Sequence, residues 1–342
     1  MRASLKIFFV ALVALYSTSM AMAQCVKLQA GDVKNLHSTA ATLTAIITNT
    51  CVDNPVSWTS EGLLSFNVAG VNTGSSYFVV TPDHKTAAVS IQVSGLTPGT
   101  NYLFRPEAWV GAFAGSYRVD SDEASSFTTL ADGAPYIASP DTWVPTVPIG
   151  SLGEVAGEGL NPSTQAFVNN APVPTIVRSA RQLAFQVPVD MVPETEIALT
   201  VRNGDLTSNV ASLRTVATLP DILGITDDQW RANSSQSPAA IGSDGTTSLV
   251  LIATGLGAVV NQPPTGTTAV GVSSTMITNP SIYFNGQPAQ ILFSGLMPGQ
   301  IGVYQINLRA KVDRTSLPAN GYVPATLITA EGTSVFFVVY VR

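Results

Sequence analysis

The sequence predicts an all-β fold assembled from consecutive two-sheet sandwiches, and three observations carry that reading. Helical periodicity is nearly absent: no window of about 11 residues keeps apolar side chains at i, i+3, i+4 and i+7. Short strand-like runs recur instead, roughly every 8 to 14 residues, with turn residues between them. Charged residues make up only 11% of the chain, against roughly 25% in ordinary soluble domains. Thr, Ser, Val, Ala, Gly and Pro stand in their place, a composition suited to strands with hydroxyl-bearing outer faces.

The elements follow in order. MRASLKIFFVALVALYSTSMAMAQ opens the chain with Arg2 and Lys6, an apolar run Ile7–Tyr16 and the small-x-small signal Ala21-Met22-Ala23. This is the pattern of a secretory signal peptide over residues 1–23, cleaved before Gln24, with an apolar core too short for a membrane span. Cys25 raises a lipoprotein alternative, but Gln24 precedes it where such signals require a small residue. Strands are predicted at ATLTAIITN (Ala41–Asn49), SYFVVTP (Ser76–Pro82), AAVSIQVSGL (Ala87–Leu96), EIALTVRNG (Glu196–Gly204), TSLVLIATGLG (Thr247–Gly257) and TSVFFVVYVR (Thr333–Arg342). Asn203-Gly204, Asn285-Gly286 and Asn320-Gly321 are hairpin-type pairs.

Composition breaks set the predicted domains. ADGAPYIASPDTWVPTVPIG (Ala131–Gly150) reads as a stiff Pro-rich linker, and a tighter junction falls near VATLPDILGI (Val216–Ile225). The expected division is residues 24–131, residues 132–219 with a linker-like start at 132–150, and residues 220–342. Loss of the leader leaves 14 of the 16 basic residues against 22 acidic ones, a net charge of −8. An acidic chain without basic clusters argues against nucleic acid or an anionic membrane surface as partner. No other apolar run is long enough to span a membrane as a helix. Cys25 and Cys51, in an exported chain, predict a disulfide; its loop of about 26 residues would stabilise by roughly 3 to 4 kcal/mol.

SGLTPGTNYLFRPEA (Ser94–Ala108), followed by FTT (Phe127–Thr129), resembles the E–F corner, F strand and G strand of bacterial fibronectin type III domains. Leu96, Pro98, Thr100 and Tyr102 match that pattern, then Phe104, Arg105 and Ala108 along the strand. The resemblance covers about residues 26–130. It implies a structural corner at Pro98 and Tyr102, with the Tyr102 hydroxyl bonded to backbone. Alternation points Tyr102, Phe104 and Ala108 inward and Leu103, Arg105, Glu107 and Trp109 outward. Two departures stand out: the strand-B tryptophan is absent, with Trp58 next in line to fill its volume, and Pro106 predicts a bulge in the strand.

FVNNAPVPTIVRSARQLAFQVPVDM (Phe167–Met191) and YFNGQPAQILFSGLMPGQIGVYQINLRAKV (Tyr283–Val312) share one plan. Each reads aromatic, x, Asn, small turn, Pro, apolar pair, loop, then an alternating strand containing Gln, a repeat at domain scale. Residues 150–342 resemble a C-terminal region of unknown function in exported soil-bacterial proteins, most clearly at ATGLGAVVNQPPTG (Ala253–Gly266) and YFNGQPAQILFSGLMPGQIGVYQINLR (Tyr283–Arg309). This implies immunoglobulin-like domains of the type seen in plexins and some transcription factors, and it brings no catalytic residues. The fold expected is therefore all-β, three tandem immunoglobulin-like sandwiches after a cleaved signal peptide. The frame S-G-L-x-P-G occurs in the first and third domains at different places in the strand order, so it reads as one kind of turn, not one domain used twice.

Candidate chemistry is sparse. His37 and His84 are the only histidines; Asp83-His84 reads as a turn in TPDHKT, and neither zinc nor iron finds enough ligands. VDSDEASS (Val119–Ser126) gathers Asp120, Asp122 and Glu123, oxygen ligands that suit calcium but lack EF-hand spacing. Trp109, Trp143 and Trp230 are candidate sugar-stacking rings, although exposed tryptophans at such places more often serve interface or corner packing. NQPPTGTTAVG and its flanks (Val259–Ser274) form a long uncharged loop that can carry binding. Asn233-Ser234-Ser235 matches a glycosylation acceptor by chance. In VFFVVYVR both faces are apolar, so Phe336, Val338 and Tyr340 are either covered within the chain or form an interaction edge. The function expected is an exported, non-enzymatic structural, adhesive or recognition protein without cofactor, acting through a protein or cell-surface glycan. The alternative is a carbohydrate-binding accessory protein.

Overall fold

The computed structural model describes residues 26–50, 59–81, 83–112, 115–138, 144–271, 275–315 and 317–342. The leader, the Cys25–Cys51 pair, Trp58 and Trp143 lie outside the described residues. Every regular element among them is a strand, and the chain divides into two compact units after Ala134.

The first unit contains β1 (Val26–Lys34), β2 (Ala40–Asn49), β3 (Ser60–Val68), β4 (Ser76–Val80), β5 (Thr86–Ser94), β6 (Asn101–Ala112), β7 (Gly115–Asp120) and β8 (Ser125–Thr128). They form two sheets, β1-β2-β5 and β4-β3-β6-β7, with β8 also on β6. Alternation decides the core. Leu43, Ala45 and Ile47 from one sheet meet Leu64, Phe66, Phe104 and Ala108 from the other, all buried. The rings of Phe66 and Phe127 both stand edge-on to Phe104.

Pro106 makes no bulge against β3: the register runs unbroken from Glu61↔Gly111 to Val68↔Phe104. The reason lies on its other side. There β6 changes partner from β8, which ends opposite Phe104, to β7, which begins opposite Glu107. The proline's missing N–H falls in that gap, and its carbonyl accepts Ser121 N–H at 3.0 Å.

The second unit contains β9 (Tyr136–Ile137), β10 (Thr146–Pro148), β11 (Leu152–Glu158), β12 (Gln165–Val168), β13 (Ala171–Val173), β14 (Thr175–Ser179), β15 (Gln182–Gln186), β16 (Glu196–Asn203), β17 (Leu206–Thr207) and β18 (Ala211–Val216). It continues with β19 (Asp221–Asp227), β20 (Thr246–Thr254), β21 (Ser281–Phe284), β22 (Gln287–Pro288), β23 (Gln290–Leu296), β24 (Tyr304–Lys311), β25 (Tyr322–Ile328) and β26 (Ser334–Tyr340). Of the Pro-rich stretch expected to be linker, the described residues 135–138 and 144–150 are part of this body. Ile137 and Val147 are buried in its core, and β10 runs parallel to β18.

Two sets of sheets repeat one plan. The order β18-β16-β12-β13 matches β26-β25-β21-β22, and β14-β15-β11 matches β23-β24-β20. Each set encloses its own apolar cluster, one around Phe185 and Leu199, the other around Tyr304, Ile306 and Phe284. The S-G-L-x-P-G frames are put to different uses. Ser94–Gly99 carries the chain from β5 to β6, strands of opposite sheets, whereas Ser294–Gly299 joins β23 to β24, antiparallel neighbours in one sheet.

Candidate functional site

The expected corner has the predicted bond. Thr97 N–H donates to the Tyr102 hydroxyl at 2.9 Å, an interaction that lowers the phenol below its ordinary range. The ring stacks on Phe127 at 5.6 Å. Thr129 completes the turn, donating from Oγ1 to Thr97 O at 2.6 Å and accepting from Thr100 N–H at 2.9 Å. These groups hold a turn.

Asp120, the first carboxylate of the acidic loop, is paired. Arg118 engages Asp120 at 2.8 Å and Glu107 at 2.9 Å. Among the described residues no three His, Cys, Asp or Glu side chains are gathered to hold a metal, so Asp120, Asp122 and Glu123 do not form a ready cage. His84 is exposed in its turn, its N–H donating to Thr81 Oγ1 at 3.0 Å.

The long loop after β20 is bonded to the preceding sandwich at Thr265 and Gly266. Gly266 N–H donates to Gln186 Oε1 at 2.8 Å and Val189 N–H to Thr265 Oγ1 at 3.0 Å. Alongside, Leu152 N–H donates to Thr254 Oγ1 at 3.1 Å, and Gly255 N–H donates to Ser151 Oγ at 3.1 Å. Tyr304, fully buried, donates to Gly257 O at 2.6 Å; burial pushes its phenol up. These bonds form a polar seam between the two repeated sandwiches. Gly255 is required there: its φ is +71°, and an added Cβ would stand 1.8 Å from Leu219 O. Asn233 is also committed, donating from Nδ2 to Tyr340 O at 2.7 Å and accepting from Tyr340 N–H at 2.8 Å.

Among the described residues, two outward sheet faces carry exposed aromatic side chains. On the sheet β22-β21-β25-β26, Val335, Phe337 and Val339 face the core, so Phe336, Val338 and Tyr340 face out. Phe336 is 62% exposed, so cover within the chain does not extend to it. It shares a cross-strand row with Thr326 and Tyr283, and Pro288 lies beyond. The next rows carry Val338 beside Pro324 and Tyr340 beside Tyr322, whose rings meet edge to face at 6.3 Å. These four strands contain no charged residue. Asn233 and the segment around Ala239 close the β26 edge at Tyr340–Arg342. Over Ser334–Val338 no described strand pairs with it.

The second face belongs to β4-β3-β6-β7. Tyr77, Leu63, Trp109 and Arg118 form one cross-strand row, with Tyr77, Leu63 and Trp109 58%, 49% and 52% exposed. Carboxylates flank it: Glu61 in the next row one way, Glu107 and Asp120 the other. The Tyr77 hydroxyl donates to Glu61, which raises its pKa. Of this row only Trp109 is singled out by sequence; Tyr77 and Leu63 join it through strand register. Trp230 stands apart, 50% exposed at the tip of a turn with φ +62°. That turn is held by Asp227, which accepts from the N–H groups of Gln229 and Arg231.

No family model matches the chain, and no curated protein matches it. Among solved structures, the Escherichia coli adhesin FdeC aligns over 93% of this chain and 96% of its own, at 14% identity and TM-score 0.22. The ICAM-5 D1-D4 ectodomain fragment aligns over 92% and 76%, at 12% identity and TM-score 0.21. The sensor domain of the anti-sigma factor RsgI4 of Pseudobacteroides cellulosolvens covers 31% of this chain and 96% of its own, at 21% identity and TM-score 0.21. Superpositions this loose describe those proteins and carry nothing to this one. No helix among the described residues is long and apolar enough to cross a membrane.

Proposed function

We propose that this chain is an exported, non-enzymatic recognition protein of three immunoglobulin-like domains, working by protein–protein contact at or outside the cell surface. In this reading the leader and a Cys25–Cys51 disulfide belong to the exported form, and residues 24–131, 132–219 and 220–342 are its domains. One observation carries it: the outward face of β22-β21-β25-β26, aromatic, uncharged and several rows deep, ends in an edge strand with Phe336 exposed. A face this broad can contribute an apolar interface core, where aromatic side chains are enriched and charges depleted. The open edge over Ser334–Val338 adds strand pairing as a second source of contact. The polar seam supports the face by fixing one sandwich against the other.

The test is surface capture. Immobilised protein is expected to retain proteins from intact cell surfaces or culture medium, and Phe336→Asp is expected to abolish that retention without changing the melting temperature. Retention that ignores Phe336→Asp counts against this face.

A further inference from the structure

The face of the first unit calls for a different ligand, and its dimensions say which. The exposed apolar strip runs across three strands, from Tyr77 through Leu63 to Trp109, and Val79, 40% exposed beside Glu61, widens it on β4. Two inter-strand spacings separate its aromatic ends, about 10 Å, and one row is about 7 Å wide. Carboxylates, not further apolar side chains, border Leu63 and Trp109 along their own strands, so the strip stays narrow there. It is long enough for consecutive sugar rings of an extended chain. From this we infer that the Tyr77–Leu63–Trp109 row is a binding platform for a neutral, extended polysaccharide.

The chemistry supports this choice over a protein or an acidic polymer. Aromatic faces carry negative quadrupole charge, which attracts the polarised C–H bonds on the face of a pyranose ring. A linear β-linked chain presents such faces repeatedly along its length, and the two rings lie far enough apart to engage separate residues. Leu63 fills the floor between them. The flanks supply hydrogen-bonding groups in the right places for equatorial hydroxyls: Glu61 on one side, Glu107 and Asp120 on the other. Three carboxylates face two guanidinium groups here, Arg105 one row beyond Glu107 and Arg118, which is already paired with two of the carboxylates. The local charge is therefore negative, which disfavours uronate or sulfated chains by like-charge repulsion. Neutral hydroxyls, which donate to carboxylates, meet no such penalty. This site is separate from the Phe336 face, and neither requires the other.

Affinity electrophoresis of the purified full chain tests the assignment, in gels containing hydroxyethylcellulose, galactomannan or, as the acidic control, polygalacturonate. Retardation is expected on at least one neutral polymer and not on polygalacturonate. Trp109→Ala and Tyr77→Ala are each expected to weaken it about tenfold or more, as loss of a central aromatic contact does. Trp230→Ala, which removes an equally exposed ring in the other unit, should leave retardation unchanged. All three positions are exposed, so the variants should fold; an unchanged far-ultraviolet spectrum and melting temperature check this. No retardation on either neutral polymer overturns the inference, as does retardation that Trp109→Ala leaves intact. Retention of a protein, dependent on Trp109 and without polysaccharide binding, also overturns it and reassigns the face to a protein partner.

Discussion

The two exposed faces are built by the same rule and differ in what surrounds them. On β4-β3-β6-β7, Tyr77, Leu63 and Trp109 form an apolar row between a row bearing Glu61 and Val79 on one side and a row bearing Glu107 and Asp120 on the other. On β22-β21-β25-β26, the row of Phe336 and Tyr283 is followed by Val338 and Pro324, then Tyr340 and Tyr322, with no charge on any of the four strands. Exposure alone does not separate them, since Trp109 and Phe336 are 52% and 62% exposed. The neighbours do. A narrow strip rimmed by carboxylates suits a thin, hydroxyl-rich chain, whereas a broad uncharged face suits another folded surface.

The largest effect is expected from breaking the support of one face only. Gly255→Ala forces a side chain onto Leu219 O at a positive φ, and the cost should be about 3 kcal/mol or more. Hydrogen exchange should show lost protection across the second unit with residues 26–134 unchanged. Equal loss in both units would show that the two faces do not rest on separate bodies. Next in size is Phe336→Asp, which should abolish protein retention while moving stability by no more than about 0.5 kcal/mol, the usual range for a surface change. Tyr102→Phe removes the bond from Thr97 and should lower the melting temperature of the first unit by about 3 °C. No change there would mean the stack on Phe127 alone holds the corner.

The smallest effect is a pH response at Trp230. Burial acts to raise the Asp227 carboxyl, but the bonds from Arg231 and Gln229 outweigh it and hold its pKa below the ordinary value. The turn's added stability is therefore present above the ordinary aspartate pKa and is lost as pH falls through the depressed one. Trp230 emission should shift in that acid range, and Asp227→Asn should remove the shift. A shift that persists in Asp227→Asn would place its origin elsewhere.

What the sequence disclosed follows from where each feature's cause lies. Alternation within one strand is local, so the inward Phe104 and Ala108, the outward Leu103 and Trp109, and the two faces of VFFVVYVR were all readable. The corner at Pro98 and Tyr102 was readable too, because its partners Thr97 and Thr100 lie within five residues. The row of Tyr77, Leu63 and Trp109 was hidden, since it depends on the register of three strands joined by long connections. The seam was hidden for a related reason: Ser151, Thr254 and Thr265 are ordinary hydroxyls until folding sets them against distant backbone. The loop Val259–Ser274 showed its length and lack of charge but not its direction. In the structure Thr265 and Gly266 are bonded to Val189 and Gln186.

The most direct test of the account crosses the two faces. Trp109→Ala and Phe336→Asp would each be measured for both polysaccharide retardation and protein retention, with the unaltered chain alongside. The account predicts that Trp109→Ala loses only the polysaccharide and Phe336→Asp only the protein. If either substitution removes both activities, or neither removes its own, the division of labour between the faces is contradicted.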